Sequence, residues 1–352
     1  MTTPTSLEIV AGTSLKSLKP RVWDPHDPYY LPGVKAIMVS YADFNHRATW
    51  RRRAMDVGLR DFLGVPAGVR IYLDNGSFAF FKRGLDIPRS DYEAFVEAAR
   101  PDWYPVPRDL IPAPNMSKWK QGRHRNLTVA ENDAYRGGGY TPVVHVGPHL
   151  ARYVVTLCAD PLLRAKPSVA IGGIVPNLLR APKALPYRDI LDGLWTTRHT
   201  LAGTHLHLFG VGGTATLHLA ALLGMDSADS SGWRNRAARG IVQLPGRGDR
   251  VVAELGSWRG RRPSDEEWEI LRECVCPGCQ YRGLDGLQAG RVAGFAHRAV
   301  HNLHVLLDEA NSIAEHLDEG LNAYRDWFPG HIHNRIYEPL IEHAAGLRSD
   351  SP

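Results

Sequence analysis

Residues 69–77 read Val-Arg-Ile-Tyr-Leu-Asp-Asn-Gly-Ser, a largely apolar run that ends abruptly in polar and small residues. A short run bounded by turn-forming residues predicts a buried β-strand. Eight such runs, separated by stretches of helical length, occur at 34–39, 69–73, 103–106, 142–146, 169–171, 206–209, 225–228 and 251–255. Alternating strands and helices predict an α/β fold, and eight strands favour a parallel (β/α)8 TIM barrel over a doubly wound open sheet.

The residues that follow these runs indicate where a functional site would lie. In a parallel barrel, the carboxyl ends of all strands converge at one mouth. Asp74 follows the second run, Asp109 the third and Asp229 the seventh. The glycines that follow the fifth and sixth runs are Gly172, Gly173 and Gly210. Each residue alone is also typical of an ordinary turn or helix N-cap, so their shared position at strand ends carries the argument.

Composition bounds the class of protein. The chain has 352 residues, of which 43% are hydrophobic, enough to bury a large core, so a disordered chain and a disulfide-stapled mini-protein are both excluded. The first twenty or so residues lack the apolar run of a secretory signal, and no stretch reaches the roughly 18 apolar residues of a membrane span. These features predict a cytoplasmic protein with no membrane partner.

The sequence divides into four regions. Residues 1–33 are interpreted as an N-terminal extension, and residues 34–265 as the barrel that carries catalysis. Residues 266–317 change character, with a helical stretch, a cysteine cluster and further helices, and are interpreted as a zinc-binding appendage. Residues 318–352 are interpreted as a C-terminal helix and tail that pack on the barrel.

Three of the four cysteines lie within six positions, in Cys274-Val-Cys276-Pro-Gly-Cys279. This spacing allows three thiolates to surround one zinc ion, and a histidine can complete a closed, structural shell. The candidates for the fourth ligand are His297, His301 and His304. Such clustering suits a metal site in a reducing compartment better than a disulfide framework. The sequence therefore predicts structural Zn2+ and says little about the reaction.

Basic residues are grouped along the chain, which has a net charge of +5. Such groups can neutralise the phosphates of a polyanion, and they can equally be an arginine-rich surface without a ligand. The groups are residues 51–53, then Arg234, Arg236 and Arg239, and then Arg259, Arg261 and Arg262.

Five motifs, in order between about residues 34 and 317, resemble those of the tRNA-guanine transglycosylase family. Residues 73–78 resemble its Asp-Ser-Gly-Gly-Phe/Tyr-Gln segment, and residues 170–176 its Gly-Gly base-contact loop. Residues 209–212 are similar to its Met-Gly-Val-Gly strand end, and residues 224–230 to its nucleophile segment. The cysteine cluster, with residues 300–303, is similar to its zinc site, in which an Ile-His-Asn-Leu stretch supplies the last ligand.

The resemblance implies a pentosyltransferase that exchanges guanine in a nucleic acid for a 7-deazaguanine such as preQ0. It implies that Asp229 is the nucleophile and Asp74 the general acid/base, and that Asp109 binds the base. It also places Gly172, Gly173 and Gly210 at the base and makes His301 the fourth zinc ligand. The flanking phosphates of an extruded nucleotide would be held by basic residues, for which we select Arg234, Arg236 and Arg239.

Departures from the family pattern concern the substrate more than the chemistry. Ser77 replaces the second glycine and Ala79 the glutamine of the first motif, and residues 230–234 differ from the bacterial segment. One branch of the family modifies DNA, and this chain ends soon after its zinc appendage, without room for the RNA-binding C-terminal domains of archaeal tRNA enzymes. DNA is therefore favoured over tRNA, with a partner protein of the same modification system and a homodimer as further expectations.

Two alternatives belong to other classes of function. A non-catalytic scaffold subunit of such an enzyme has no need of both Asp74 and Asp229, and both are present. A phosphosugar enzyme could use the glycines of residues 210–213 as a phosphate nest, but it predicts a barrel without a metal appendage.

Overall fold

The computed structural model describes residues 5–85, 88–178, 183–256 and 259–349. Its strands are β1 (Glu8–Gly12), β2 (Ala36–Ser40), β3 (Arg70–Asp74), β4 (Val143–His145), β5 (Ser168–Gly172), β6 (His205–Leu208), β7 (Ser227–Ser230), β8 (Ile241–Leu244) and β9 (Gly248–Val251). The helices before β5 are α1 (Tyr41–Asn45), α2 (Ala48–Val57), α3 (Leu59–Leu63), α4 (Ser77–Lys82), α5 (Arg89–Ala99), α6 (Lys118–Ala134), α7 (Leu150–Ala159) and α8 (Pro161–Arg164). The later helices are α9 (Ile174–Leu178), α10 (Tyr187–Thr200), α11 (Thr214–Leu222), α12 (Gly232–Ala238), α13 (Asp265–Glu273), α14 (Pro277–Gln288), α15 (Arg291–Asp318), α16 (Leu321–His331) and α17 (Glu338–Ser349).

Seven strands form one curled parallel sheet in the order β3-β2-β1-β7-β6-β5-β4. The segment between the two outer strands is extended at 103–105 and forms single parallel bridges, Tyr72 with Trp103 and Pro105 with Thr141. Helices follow most strands, as the alternation in the sequence predicts. The α/β class is therefore confirmed, with all seven strands parallel, so that their carboxyl ends lie at one edge of the sheet.

One strand of the sheet was not predicted from the sequence, and one predicted strand is wrong. β1 lies within residues 1–33, which were interpreted as an extension, yet it pairs with β2 on one side and β7 on the other. Its apolar run is only Ile9 to Ala11, too short to distinguish from a loop without knowing that the sheet buries it. The run at 251–255 is not a strand of this sheet, because β9 ends at Val251 and pairs antiparallel with β8 in a separate hairpin.

α15 joins the sheet layer to the C-terminal region. Its buried face packs against α11, α12 and α14. Arg298 on this helix is fully buried and donates to the carbonyl oxygens of Ala237, Leu287 and Ala289. A buried guanidinium is tolerated only where its N–H groups are satisfied, and here it ties the ends of α12 and α14 to α15.

The same helix carries a second buried polar cluster. Oε1 of Glu309 accepts from Nε2 of His218 at 2.7 Å and from Nε2 of His331 at 2.8 Å. The hydroxyl of Tyr324 lies 2.7 Å from Nδ1 of His218, and the amide of Gly246 donates to the other Glu309 oxygen. These contacts join α11, α15 and α16. Each of these buried polar groups has a hydrogen-bond partner within the protein, which is the pattern of a structural network.

Candidate active site and metal centre

A cavity of about 630 Å3 lies at the carboxyl ends of the parallel strands. Its wall contains three carboxylates, Asp74, Asp109 and Asp229, of which the first and the last are 155 positions apart in the sequence. The glycines Gly172, Gly173 and Gly210 also line it. The structure thus brings together the carboxylates and glycines that the strand-end pattern placed at one mouth. The volume is in the range typical of small-molecule sites.

Asp74 ends β3 and is held by the neighbouring strand. Its Oδ2 accepts from Oγ of Ser40 at 2.8 Å and from the amide of Gly76 at 3.1 Å. Ser40 ends β2, and the parallel register places it directly beside Asp74. Burial raises the pKa of Asp74 to about 7, the Ser40 hydrogen bond opposes this rise, and the charges of Asp109 and Asp229 add to it. A carboxyl with this pKa can both give and take a proton near neutral pH.

Gly76 cannot be replaced without displacing its neighbours. Its φ is +79°, a region that favours glycine, and a Cβ there would lie 2.7 Å from Cβ of Ala42. The close approach allows the amide of Gly76 to reach Asp74. The glycine of this motif is therefore required by the turn itself.

Asp229 lies in β7, and its carboxylate is oriented from β6. Its Oδ1 accepts from the amide of Gly210 at 2.8 Å and lies 3.6 Å from Nε2 of His207. The other ring nitrogen of His207 lies 2.8 Å from Oγ of Ser227, which also contacts His205 at 2.8 Å. The side chain of Asp229 is 14% exposed, so it is accessible from the cavity while its orientation is restricted.

Asp109 is held as an anion by two polar neighbours. Nε2 of His145 donates to its Oδ2 at 2.8 Å, and Nδ2 of Asn75 donates to its Oδ1 at 2.9 Å. Burial opposes ionisation of this carboxyl, but the His145 hydrogen bond and charge together with Asn75 outweigh it and lower the pKa of Asp109. Asp109 therefore suits acceptance of hydrogen bonds, whereas Asp74 suits proton transfer.

The glycine pair at the end of β5 lets the chain turn close to β4. Gly173 has φ +76°, and a Cβ there would lie 3.1 Å from the carbonyl oxygen of Val146. Gly172 and Gly173 leave a wall of the cavity without side chains. Gly210 differs in its role, because its amide already donates to Asp229.

The structure corrects one of the arginine assignments. Arg234 is only 7% exposed, and its guanidinium donates to the carbonyl oxygens of Ser17 and Lys19, so it cannot face a polyanion. Arg236 is paired with Asp249 and donates to the carbonyl of Gly212. Arg239 alone of the three is exposed. Arg234 and Arg236 lie on α12 and Arg239 is its C-cap residue, so the three arginines have different surroundings, which their grouping in the sequence could not show.

The cysteine cluster lies between the β8–β9 hairpin and α15. Nδ1 of His301 lies 3.4 Å from Sγ of Cys274, 3.4 Å from Sγ of Cys279 and 4.0 Å from Sγ of Cys276. All four donor atoms lie within 4.8 Å of one another. Bond lengths of about 2.3 Å to sulfur and 2.1 Å to nitrogen in a tetrahedron place such atoms at these separations. The four residues can therefore hold a metal ion.

The contacts of the nearby histidines distinguish the fourth donor. Nε2 of His301 donates to the carbonyl of Gln243 at 2.9 Å. In the neutral ring, Nδ1, which faces the three sulfurs, then carries no proton, as ligation requires. His297 is engaged elsewhere, with Nδ1 at 2.8 Å from the carbonyl of Gly278 and its ring against Tyr29. Among the three histidines that the spacing left open, the geometry selects His301.

No family model matches the chain. The chain is 25% identical over 284 residues to tRNA-guanine(15) transglycosylase of Pyrococcus abyssi, a match that covers 77% of this chain and 43% of that protein. It is 24% identical over 285 residues to the protein of the same name from Thermococcus onnurineus, covering 77% and 44%. It is 25% identical over 286 residues to that of Haloferax volcanii, covering 77% and 49%.

The chain is a distant relative of tRNA-guanine(15) transglycosylases. It spans less than half the length of these relatives. Their names favour the tRNA-guanine transglycosylase resemblance drawn from the motifs, and they favour its tRNA alternative over the DNA preference. Among the described residues, no helix is both long and apolar enough to cross a membrane.

Sequence reasoning missed three residues of the site: Ser40, His145 as the partner of Asp109, and His207. Each ends or lies within a strand and meets its carboxylate across the sheet. A signal existed for His145 and His207, because a histidine in an otherwise apolar strand needs a polar partner when buried. Which carboxylate each histidine meets depends on the register of the strands, so the neighbouring sequence could not predict it.

Proposed function

We propose that the protein is a nucleic-acid guanine transglycosylase, a pentosyltransferase, with tRNA as the favoured substrate. The observation that carries this proposal is the convergence of Asp74, Asp109 and Asp229 on one cavity. The distant relationship to tRNA-guanine(15) transglycosylases supports the reaction class and the preference for tRNA. The alternative hypothesis, in which the substrate is DNA, the incoming base is preQ0 and a partner protein takes part, is examined in the second arm of the test.

Asp229 acts as the nucleophile. A carboxylate oxygen attacks C1′ of the target nucleotide, a C1′–O bond forms, and the bond from C1′ to the guanine nitrogen breaks. The Gly210 amide and His207 orient the carboxylate during this step. The product is a glycosyl ester on Asp229 and a free guanine.

Asp74 handles the proton. In its acid form it protonates the departing guanine, and in its carboxylate form it then accepts a proton from the incoming 7-deazaguanine. The incoming base attacks C1′ and releases Asp229, which restores the enzyme. A pKa of about 7 populates both forms of Asp74 at neutral pH.

Asp109 and the glycine pair hold the base. The anionic Asp109 accepts hydrogen bonds from the N–H groups of a guanine edge, and His145 keeps it ionised. The amides of Gly172 and Gly173 face the base oxygen, where the absence of side chains permits a close approach. This division separates recognition from proton transfer.

Two finer structural assignments belong to the proposal. The bridged segment 103–105 serves as the eighth strand that closes a (β/α)8 barrel between β3 and β4. The metal held by Cys274, Cys276, Cys279 and His301 is Zn2+, because three thiolates and one imidazole are the donors that zinc prefers. This ion would stabilise the C-terminal appendage and supply no group to the reaction.

Guanine exchange tests the proposal directly. We expect the protein to incorporate labelled guanine, and then a 7-deazaguanine, into transfer RNA and to leave matched duplex and single-stranded DNA unlabelled. Modified deoxynucleosides without modified ribonucleosides would reverse the substrate preference. An absence of incorporation into both, with the protein folded and loaded with metal, supports the scaffold alternative and rejects the enzyme.

Ser40→Ala tests the assignment of Asp74. The Ser40 hydrogen bond favours the ionised form of Asp74, so its loss raises the pKa of this carboxyl from its wild-type value of about 7. A hydrogen bond to a charged group contributes about 1.5–3 kcal/mol, or roughly one to two pH units. We expect the limb of the kcat/KM–pH profile near pH 7 to shift to higher pH by about one unit. The matched control is Ser312→Ala on α15, which should leave the profile in place.

A further inference from the structure

A second concavity, of about 350 Å3, adjoins the candidate active site. It lies between α4 and α6, and Ser77 contributes to both its wall and the wall of the larger cavity. The amide of Asp109 donates to Oγ of Ser77, so the shared wall is also bonded to the proposed base-binding residue. A ligand in this groove would therefore be continuous with one in the active site. We call this concavity the α4–α6 groove.

Charges on the α4–α6 groove have one sign. Its lining includes three cationic side chains, Arg108, Lys120 and Arg123, whereas burial lowers the pKa of the fourth basic residue, His124, and favours its neutral form. None of the described residues that line it is an aspartate or a glutamate. Lys120 and Arg123 are exposed and stand one turn apart on α6, so their charges reach solvent along one side of the groove. This arrangement attracts a polyanion.

Apolar side chains are exposed beside these charges. Trp119 is 73% exposed, Phe81 44% and Leu85 51%. The guanidinium of Arg123 lies 5.8 Å from the ring centre of Trp119, and Phe81 meets the ring of His124 edge-on at 5.4 Å. The protein buries most of its large apolar residues, so an exposed tryptophan within a basic patch indicates a ligand with both charge and flat apolar faces.

We propose that the α4–α6 groove binds the unpaired polynucleotide next to the target nucleotide. Lys120 and Arg123 would contact two phosphates, and Trp119 would stack on one flanking base. Basic grooves with interleaved aromatics bind single strands in this way, since every base has a face on which to stack. The inference rests on the proposed function, and it replaces the surface around Arg234, which is buried.

Binding measured against salt tests the phosphate contacts. Each phosphate contact on a single strand contributes about 0.7 to the slope of log K against log salt. For Lys120→Ala combined with Arg123→Ala, we expect the slope to fall by about 1.4 and the affinity at 0.1 M salt to fall about 25-fold. The probes are a labelled RNA stem–loop and a DNA oligonucleotide of the same sequence. Arg164→Ala, an exposed arginine at the far end of the sheet, is the control and should change neither value.

Trp119 supplies the second readout. Stacking contributes about 1–3 kcal/mol per base, so Trp119→Ala should weaken binding roughly 5- to 150-fold, while Trp119→Phe should recover most of the affinity and neither should alter the salt slope. In catalysis, KM for the polynucleotide should rise with little change in kcat. Wild-type affinity in both the charge and the tryptophan variants would reject the groove.

The two proposals fail in distinguishable ways. A wild-type protein that exchanges guanine, with groove variants that behave identically, refutes the α4–α6 groove and leaves the enzyme standing. A wild-type protein that binds RNA or DNA through the groove but never exchanges guanine refutes the enzyme and leaves the groove standing. The probe that binds more tightly in the wild type identifies the preferred nucleic acid.

Discussion

Asp229→Ala should reduce guanine exchange by about 10⁴-fold or more. Removal of a catalytic nucleophile typically costs this much, because the remaining groups can bind substrate but cannot form the intermediate. The fold should be retained, since the Asp229 side chain faces the cavity and its only strong described contact is the Gly210 amide. Labelled-guanine incorporation under single-turnover conditions gives the measurement.

A trapped intermediate gives an independent readout. In the wild type, a covalent adduct between protein and nucleic acid should survive denaturing electrophoresis, and it should be absent from Asp229→Ala. Asp56→Asn, at an exposed position on α2, provides the charge-matched control and should form the adduct normally. An Asp229→Ala protein that keeps substantial exchange would show that another group is the nucleophile.

Cys276→Ala should remove the bound metal and unfold the C-terminal appendage. Cys276 is buried and belongs to the four-donor cluster. A structural zinc site contributes about 10–16 kcal/mol of apparent binding free energy in small domains, so the loss of one ligand should cost about 5 kcal/mol of stability or more. We expect the melting temperature to fall by about 10 °C or more. Elemental analysis should show zinc in the wild type and none in the variant.

Cys158→Ala is the matched control for this experiment. Cys158 lies in α7, half-buried and outside the cluster. Its replacement removes a thiol of the same kind without touching the four donors, so metal content should stay at the wild-type level. Equal metal content in Cys276→Ala and Cys158→Ala would contradict the assignment of the metal centre.

The agreement between sequence and structure is best where the pattern is local. Runs such as 69–73 and 206–209 become β3 and β6, because burial of a short apolar segment depends mainly on the segment itself. The spacing of Cys274, Cys276 and Cys279 likewise sets three donors within one turn region. β1 escaped notice because its apolar run is short, and only its two sheet neighbours make it a strand.

The candidate site shows the opposite case. Asp74 and Asp229 were identified by their positions after strands, but their chemistry depends on Ser40 and His207, which come from other strands. The pKa of Asp74 near 7 arises from burial among other carboxylates, which is a property of the assembled cavity. Strand register decides these contacts, and register is set by the whole sheet.

By itself, the sequence determined the α/β alternation, the identity of the carboxylates and glycines at the strand ends, and the three clustered cysteines of the candidate metal centre. These follow from residue type and spacing, which act over a few positions. Only the tertiary structure shows that Arg234 is buried and bonded to backbone carbonyls, that His301 is the histidine beside the three cysteines, and that a basic groove adjoins the cavity. The physical reason is that exposure and partnership depend on which distant segments pack together, and that packing is a property of the folded chain.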